Sequence, residues 1–397
     1  MGRFFHSKLN QRWQGEKISM KSLASLDSTS QKKCLWFHCA SLGEFEQARP
    51  LIETLQKKRN NYFVAITFFS SSGYEVQKNY THANWVGYIP WDQKKALTHF
   101  LNQLKPDIVF LVKYEFWPNL LVTLRERNIP TFSLCGRFYA SQFFFKPYGK
   151  WMLKYLKGIK GFMVVDEASE GLLKKHGLKP IVKVGDLRMD RVLNLMGENK
   201  SNPNIEAYLE NKKCFVVGSS WPEDYPLFLD YLLTKTDVKI IIAPHEVSAK
   251  SMAKLNEQIL LEKAYWSSFN LNRDNHKRVF IIDRIGYLAQ TYQYAHWAYV
   301  GGGMGTKGLH NILEAVVYGI PVFIGKNYQN FKEAEDLVQQ KGVLSVQNAE
   351  EFRVAFEAIN PQRRAAVNAT NKKYVEKHRG ATQKCIDYLT PHLNFQQ

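Results

Sequence analysis

Short runs of β-branched and aromatic residues alternate with longer stretches of helical spacing along almost the whole chain. LWFHCA (35–40), FVAITF (63–68), DIVFLV (107–112), TFSLC (131–135) and GFMVV (161–165) are predicted as buried strands. Between and after them, 46–59, 93–104, 117–127 and 148–156 carry helical spacing. That alternation predicts βαβ units and a parallel sheet. Residues 196–211, MGENKSNPNIEAYLEN, are polar and contain Gly197 and Pro203, which predicts a linker. The alternation then resumes with strands at CFVVG (214–218), KIIIAP (239–244), RVFIID (278–283), WAYVGG (297–302) and PVFIG (321–325). Helices are predicted at 223–233, 249–264, 285–294, 310–318 and 331–340, with one or two amphipathic helices at 363–389.

The expected fold is therefore α/β: two Rossmann-like, doubly wound domains, 1–195 and 196–397, whose sheets turn their carboxyl ends toward a central cleft. A chain of 397 residues can supply both cores. Glycosyltransferases, epimerases and binding proteins all use such an arrangement, so the fold alone does not decide function.

Charge changes the picture. Of the formal +18, residues 1–190 carry +14, with 29 Lys and Arg against 15 Asp and Glu. The first half is thus the half expected to meet something anionic: a phosphorylated lipid, a membrane surface or a nucleic acid. No run reaches the ~18–20 apolar residues of a spanning helix. The basic, aromatic N-terminus reads as neither signal peptide nor anchor. It is expected either to touch a membrane surface through Phe4, Phe5 and Trp13 or to fray as a basic tail. Five cysteines without a CxxC pair are expected to be buried and reduced.

Four segments carry candidate chemistry. ASLGEFEQARP (40–50) follows the first strand, with Ser41 and Gly43 in a small-residue turn and Glu44 at the start of a helix. A carboxylate there can take a proton from an incoming hydroxyl, or it can simply favour the helix N-terminus. Both readings stand on spacing alone. VKYEFWPNLL (112–121) sets Glu115 among aromatics, in a binding role or a structural ion pair; Lys113, Arg49 and Arg137 are basic residues able to meet phosphate or carboxylate. Gly218, Ser219 and Ser220 are expected to form an anion nest running into a helix at Pro222, and His245 with Glu246 follows the next strand. The strongest segment is YVGGGMGTKGLHNILEAVVYGIPVFIGK (299–326). Its glycines, Gly302, Gly303 and Gly305 among them, permit close backbone approach and positive φ. Its helix, expected from about His310, would receive a phosphate at its N-terminus, with Glu314 toward a ribose. The loop is neither GxGxxG nor a Walker A loop, which disfavours dinucleotide and ATP and favours a nucleotide-sugar. No D-x-D or His/Cys cluster points to a metal.

Together ASLGE (40–44), E-x-W-P-N (115–119) and GGG…G-x-H-N-x-L-E (301–314) resemble the 3-deoxy-D-manno-octulosonic acid (Kdo) transferases, over most of the chain from about Leu35. The resemblance implies a GT-B fold and metal-independent, inverting transfer of Kdo from CMP-Kdo to a tetraacylated, bisphosphorylated lipid A precursor. CMP-Kdo would be a donor substrate, with no cofactor. It implies Glu44 as general base, and a CMP site that includes Pro244 and His245, Ile285, Gly286 and Tyr287, and Asn311, Ile312, Leu313 and Glu314. It places the protein peripherally on the cytoplasmic face of a bacterial inner membrane. Three departures stand out: His245 where many members have Arg, Leu309 where a glycine is more usual, and no counterpart of the family's hydrophobic N-terminal anchor. The basic, aromatic segment 141–157 is then either the lipid contact or an amphipathic helix packed on the sheet. The rivals are another GT-B enzyme acting on a UDP-sugar, as transferase or 2-epimerase, and a nucleic-acid-binding protein, for which no motif speaks. The number of Kdo residues added, the acylation pattern of the acceptor and the oligomeric state are not encoded in any motif.

Overall fold

The computed structural model describes residues 2–26, 32–58, 62–198 and 201–393, with side chains from Asn10 onward, Lys58 apart. The chain forms two compact units, Met1–Arg191 with His378–Gln397, and Val192–Lys377.

The first unit is built on a seven-stranded, all-parallel sheet: β1 (Lys33–Cys39), β2 (Tyr62–Phe68), β3 (Trp85–Tyr88), β4 (Ile108–Val112), β5 (Thr131–Gly136), β6 (Gly161–Val164) and β7 (Ile181–Lys183). Their spatial order is β3-β2-β1-β4-β5-β6-β7. Helices cover both faces, so the central strands are apolar on both sides, as parallel sheets require. Along β1, Leu35, Phe37 and Cys39 enter one core while Cys34 and Trp36 enter the other.

The second unit repeats the architecture with β8 (Lys213–Ser220), β9 (Val238–Pro244), β10 (Lys263–Tyr265), β11 (Val279–Ile281), β12 (Trp297–Val300), β13 (Val322–Ile324) and β14 (Val343–Ser345). Its order is β10-β11-β9-β8-β12-β13-β14, again all parallel. Each of the ten strands expected from sequence is present. The four that were not expected, β3, β7, β10 and β14, are the four sheet edges. They are three or four residues long and, unlike the equally short β11 and β13, not buried throughout, so no continuous apolar run marks them.

Several expectations need correction. The terminal helix Ala381–Leu393 belongs with the first unit, not the second. Cys385, Ile386, Leu389 and Leu393 enter the core that holds Phe132. The Asp190 carboxylate accepts from the Gly380 and Thr382 N–H groups at 2.7 and 2.6 Å, fixing the helix start. The proposed linker is partly helical: Pro203–Leu209 is a helix whose Ile205, Tyr208 and Leu209 are buried. The stretch 249–264 is a helix only to Gln258, then turns into edge strand β10. The stretch 148–156 is not one helix but 3-10 turns followed by Leu153–Leu156.

The N-terminus forms a helix, Gly2–Ala24, laid against edge strand β3. Arg12 is buried and donates to the Ile89 carbonyl at 2.9 Å. The Ser19 hydroxyl accepts from the Tyr88 N–H at 2.9 Å, giving the edge a partner from the helix side. Trp13 is 55% exposed, with the Lys17 ammonium 3.3 Å from its ring centroid. The side chains of Phe4 and Phe5 lie outside the described residues. All five cysteines are free and buried. No helix among the described residues is long and apolar enough to cross a membrane.

Candidate functional site

In an open parallel sheet, a crevice forms at the carboxyl edge where successive connections leave in opposite directions. In the first sheet that point lies between β1, which connects toward β2, and β4, which connects toward β5. The loops that follow these two strands carry Ser41–Glu44 and Lys113–Glu115. Two segments far apart in sequence are thus brought together by strand order.

Glu44 lies in the first turn of the helix Leu42–Lys58. One carboxylate oxygen accepts from the N–H of Ala40 at 2.5 Å and of Ser41 at 3.3 Å. This is the reach-back of a capping box, so the structural reading of Glu44 is realised. The other oxygen has no part in these bonds. Burial raises the Glu44 pKa, with the neighbouring Glu115 carboxylate adding to the rise; Lys113, the Ala40 N–H and His38 oppose it, and the net shift is upward. Gly43 is exposed, with nothing within 4 Å of where a Cβ would stand.

Glu115 accepts from the Trp117 indole at 3.0 Å. It also lies 3.6 Å from Nε2 of His38, a fully buried residue whose Nδ1 meets the Thr67 hydroxyl at 2.9 Å. His38 escaped notice because it sits inside an apolar strand. Lys113 takes a left-handed backbone, φ 60°, at the end of β4. Two of the proposed cations are already engaged. Arg49 faces Glu46 at 3.1 Å and lies over the Phe45 ring, so it belongs to the body of its helix. Arg137 meets Asp166 at 3.2 Å.

In the second sheet the connections diverge between β8 and β12. At this point lie Gly218–Ser220, which end β8, and the glycine-rich segment that follows β12. Beside the anion nest expected at Gly218, Ser219 and Ser220 stands a carboxylate of the protein itself. Asp224 is fully buried and accepts from the N–H groups of Trp221 (2.8 Å) and Gly302 (3.2 Å) and from the Tyr299 hydroxyl (2.7 Å). Its pKa is raised by burial, against these hydrogen bonds. No regular helix starts at Pro222; a 3-10 turn, Tyr225–Leu227, stands there instead. Ser220 is buried against the Tyr225 hydroxyl at 2.9 Å, and Ser219 has φ 51°.

The glycines serve close packing. A Cβ at Gly301 would stand against the Ser219 carbonyl and 2.7 Å from Asp224, and Gly303 packs on Gly325. Gly302 has φ 92°; Gly305 has only the Glu223 side chain near it. The helix expected from His310 is a single turn, Leu313–Val316. Ile312 and Leu313 point into the core, leaving Asn311 and Glu314 joined to each other at 3.2 Å. So short a helix aligns few peptide dipoles toward its N-terminus. Ile285 is 72% exposed beside Gly286, at φ 98°, and Tyr287 lies against Trp266.

Pro244 ends β9, and His245 after it joins a stack that sequence reading missed. The ring of His245 lies 4.7 Å from Trp221 and 4.2 Å from His310, all nearly parallel. The Trp221 indole donates to Nε2 of His310 at 3.0 Å, and Lys307 lies over the indole. Burial lowers the pKa of both imidazoles; the neighbouring His245 helps push His310 down to about 4. Among the described residues no three His, Cys, Asp or Glu side chains gather in a metal-binding group.

A family model described as 3-deoxy-D-manno-octulosonic-acid transferase (kdotransferase) matches residues 11–191. A transferase of that description from Haemophilus influenzae is 26% identical over 383 residues, covering 90% of this chain and 87% of its own. One from Aquifex aeolicus is 23% identical over 333 residues, covering 81% and 84%. The chain thus carries a Kdo transferase domain over residues 11–191 and has Kdo transferase homologues over most of its length. A bifunctional glycosyltransferase/methyltransferase of Fusobacterium nucleatum is 27% identical over 357 residues; the match spans 87% of this chain but 56% of that protein. Among solved structures, UDP-GlcNAc 2-epimerase from Neisseria meningitidis has a TM-score of 0.65 at 14% identity, covering 91% of this chain and all of the epimerase chain. A glycosyltransferase from Rickettsia africae has a TM-score of 0.61 at 12% identity, covering 92% and 100%. Both likenesses concern the fold, which is GT-B-type.

Proposed function

We propose that this enzyme transfers Kdo from CMP-Kdo, with inversion and without a metal, to a hydroxyl of a tetraacylated, bisphosphorylated lipid A precursor. Glu44 is the general base of the first unit, and the β8 and β12 loops of the second hold the nucleotide. The observation that carries this reading is the state of Glu44. Its carboxylate is anchored by one oxygen, half-buried at the switch point of its sheet, and shifted upward in pKa toward the range useful to a base. In the second unit the Trp221–His245–His310 stack and the backbone of 301–303 supply a flat, polar, near-neutral surface suited to a nucleotide monophosphate.

Placement at the cytoplasmic face of an inner membrane, peripherally and without nucleic acid, is part of the same proposal. It is supported by Phe143, Tyr148 and Trp151, which stay 45–70% exposed and cluster at ring distances of 5.9 Å along a lysine-rich segment.

The test is to incubate the enzyme with CMP-Kdo, generated in situ, and the tetraacylated precursor in detergent with a chelator, and to weigh the products. Addition of one or more Kdo units is expected, and Glu44→Gln is expected to lose about 10²–10⁴-fold in rate. Activity needs the carboxylate form, so kcat/KM should fall toward acid through a pKa above the ordinary 4.5. No transfer, with turnover instead on a UDP-sugar, would replace the Kdo reading by the epimerase or transferase alternative.

A further inference from the structure

The mechanism above leaves one charged group at the base's side unused. Lys113 closes β4, next to β1 in the sheet, with His38 of β1 paired to Leu111 of β4. Its backbone is held left-handed at φ 60°, a conformation that a lysine adopts only where the surroundings enforce it. The enforcement is visible: its N–H donates to the Leu134 carbonyl at 2.8 Å, and its own carbonyl receives the Ser133 hydroxyl at 3.5 Å. Lys113 is half-buried as a residue, and its charge acts on both Glu44 and the buried Cys135.

Two carboxylates stand close by, yet neither pairs with it. Glu44 is tied to the Ala40 and Ser41 N–H groups, and Glu115 to Trp117, with His38 beside it. Among the described residues no carboxylate comes within 4.0 Å of the Lys113 ammonium. The other basic residues near this edge are engaged: Arg137 with Asp166, and Arg188 with Asp186 at 2.6 Å. A partly buried lysine ordinarily finds a carboxylate as its partner. Here that partner is missing among the described residues.

We propose that Lys113 is an anion-binding residue of the reaction site, holding an acidic group of a substrate beside Glu44. This rests on the Kdo-transfer reading, in which both substrates are acidic: the acceptor carries phosphates and the donor sugar a carboxylate. The shared chemistry is an oxyanion that accepts a charge-assisted hydrogen bond from the ammonium. Lysine suits this task as a mobile point charge, able to follow the anion as the hydroxyl is brought to the base.

Lys113→Met and Lys113→Arg are compared with the wild type after thermal melting has shown that both fold. With Lys113→Met, KM for one acidic substrate should rise about tenfold or more. Lys113→Arg should recover most of the loss. If the phosphate is the partner, the rise appears for the bisphosphorylated acceptor and shrinks for one lacking a phosphate, with the donor KM unchanged. If the sugar carboxylate is the partner, the donor KM rises alone. Unchanged KM for both substrates in Lys113→Met, or no recovery in Lys113→Arg, overturns the proposal. Titration of wild type and Lys113→Met with the deacylated disaccharide bisphosphate, and with free Kdo, reads binding without turnover. Absence of Kdo transfer by the wild type, with Lys113-dependent binding intact, would count against the reaction and leave the anion site standing.

Discussion

At the scale of single residues, the two sites place acids and bases where burial works on them in opposite senses. Glu44 and Asp224 are pushed upward, His245 and His310 downward, each toward its uncharged form. For His310 this has a measurable consequence. Its folded pKa of about 4 lies below the ordinary 6.5, so between those values the unfolded chain binds a proton that the folded chain does not. Stability is therefore full above pH 6.5 and falls as pH drops toward 4, by about 3 kcal/mol at most. His310→Gln should flatten this part of the pH dependence of Tm, read against wild type by calorimetry at pH 7, 5.5 and 4.5. An unchanged slope would mean that the imidazole is better solvated than its packing against His245 and Trp221 implies. His310 was visible in sequence only as the start of a helix; that it packs on His245 and accepts from the Trp221 indole depends on segments after β8, β9 and β12 meeting.

At the scale of elements, the least expected one is the N-terminal helix. Its sequence has no strong apolar stripe, which is why it read as a tail or a membrane-surface segment. What holds it is a set of specific contacts to β3: Arg12 on the Ile89 carbonyl, with its guanidinium 4.3 and 4.5 Å from the Phe69 and Trp91 ring centroids, and Ser19 on the Tyr88 N–H. Gly15 lies directly on the Tyr88 ring, and Tyr88 is fully buried. Gly15→Ala should gain about 0.5–1 kcal/mol in helix propensity and lose about 1–3 kcal/mol to overpacking. The second effect is larger, so a net destabilisation is expected, read as a lower urea midpoint with unchanged m-value. A raised midpoint would mean that the helix shifts freely on β3. The element errors elsewhere share one cause: edge strands and single-turn helices are too short to carry a period, and only their neighbours hold them in shape.

At the scale of the whole chain, the path leaves the first unit near Arg191 and returns to it at His378. The terminal helix then buries Ile386, Leu389 and Leu393 in the first core. At about 1.5–3 kcal/mol for each such side chain, their loss is comparable to the ~5–15 kcal/mol that holds a domain folded. Ending the chain at His378 should therefore unfold the first unit while the second, Val192–Lys377, stays folded. Limited proteolysis of the shortened chain should leave a resistant fragment starting near residue 192. A protected first unit would mean that its sheet and remaining helices suffice alone.

What the sequence alone determined is what short-range pattern can carry. The ten central strands were legible because burial on both faces demands continuous apolar runs. The positions of Glu44 and the glycine-rich segment, each directly after a strand, were legible because turns after strands have few residue choices. Tertiary structure decided what depends on contacts across long separations. Strand order brought Glu44 beside Lys113 and Glu115, and closed the ring stack of Trp221, His245 and His310. It also set Asp224 against Trp221, Gly302 and Tyr299, and returned the last helix to the first core. In each case the deciding partner lies many residues away, where no local period or spacing can announce it.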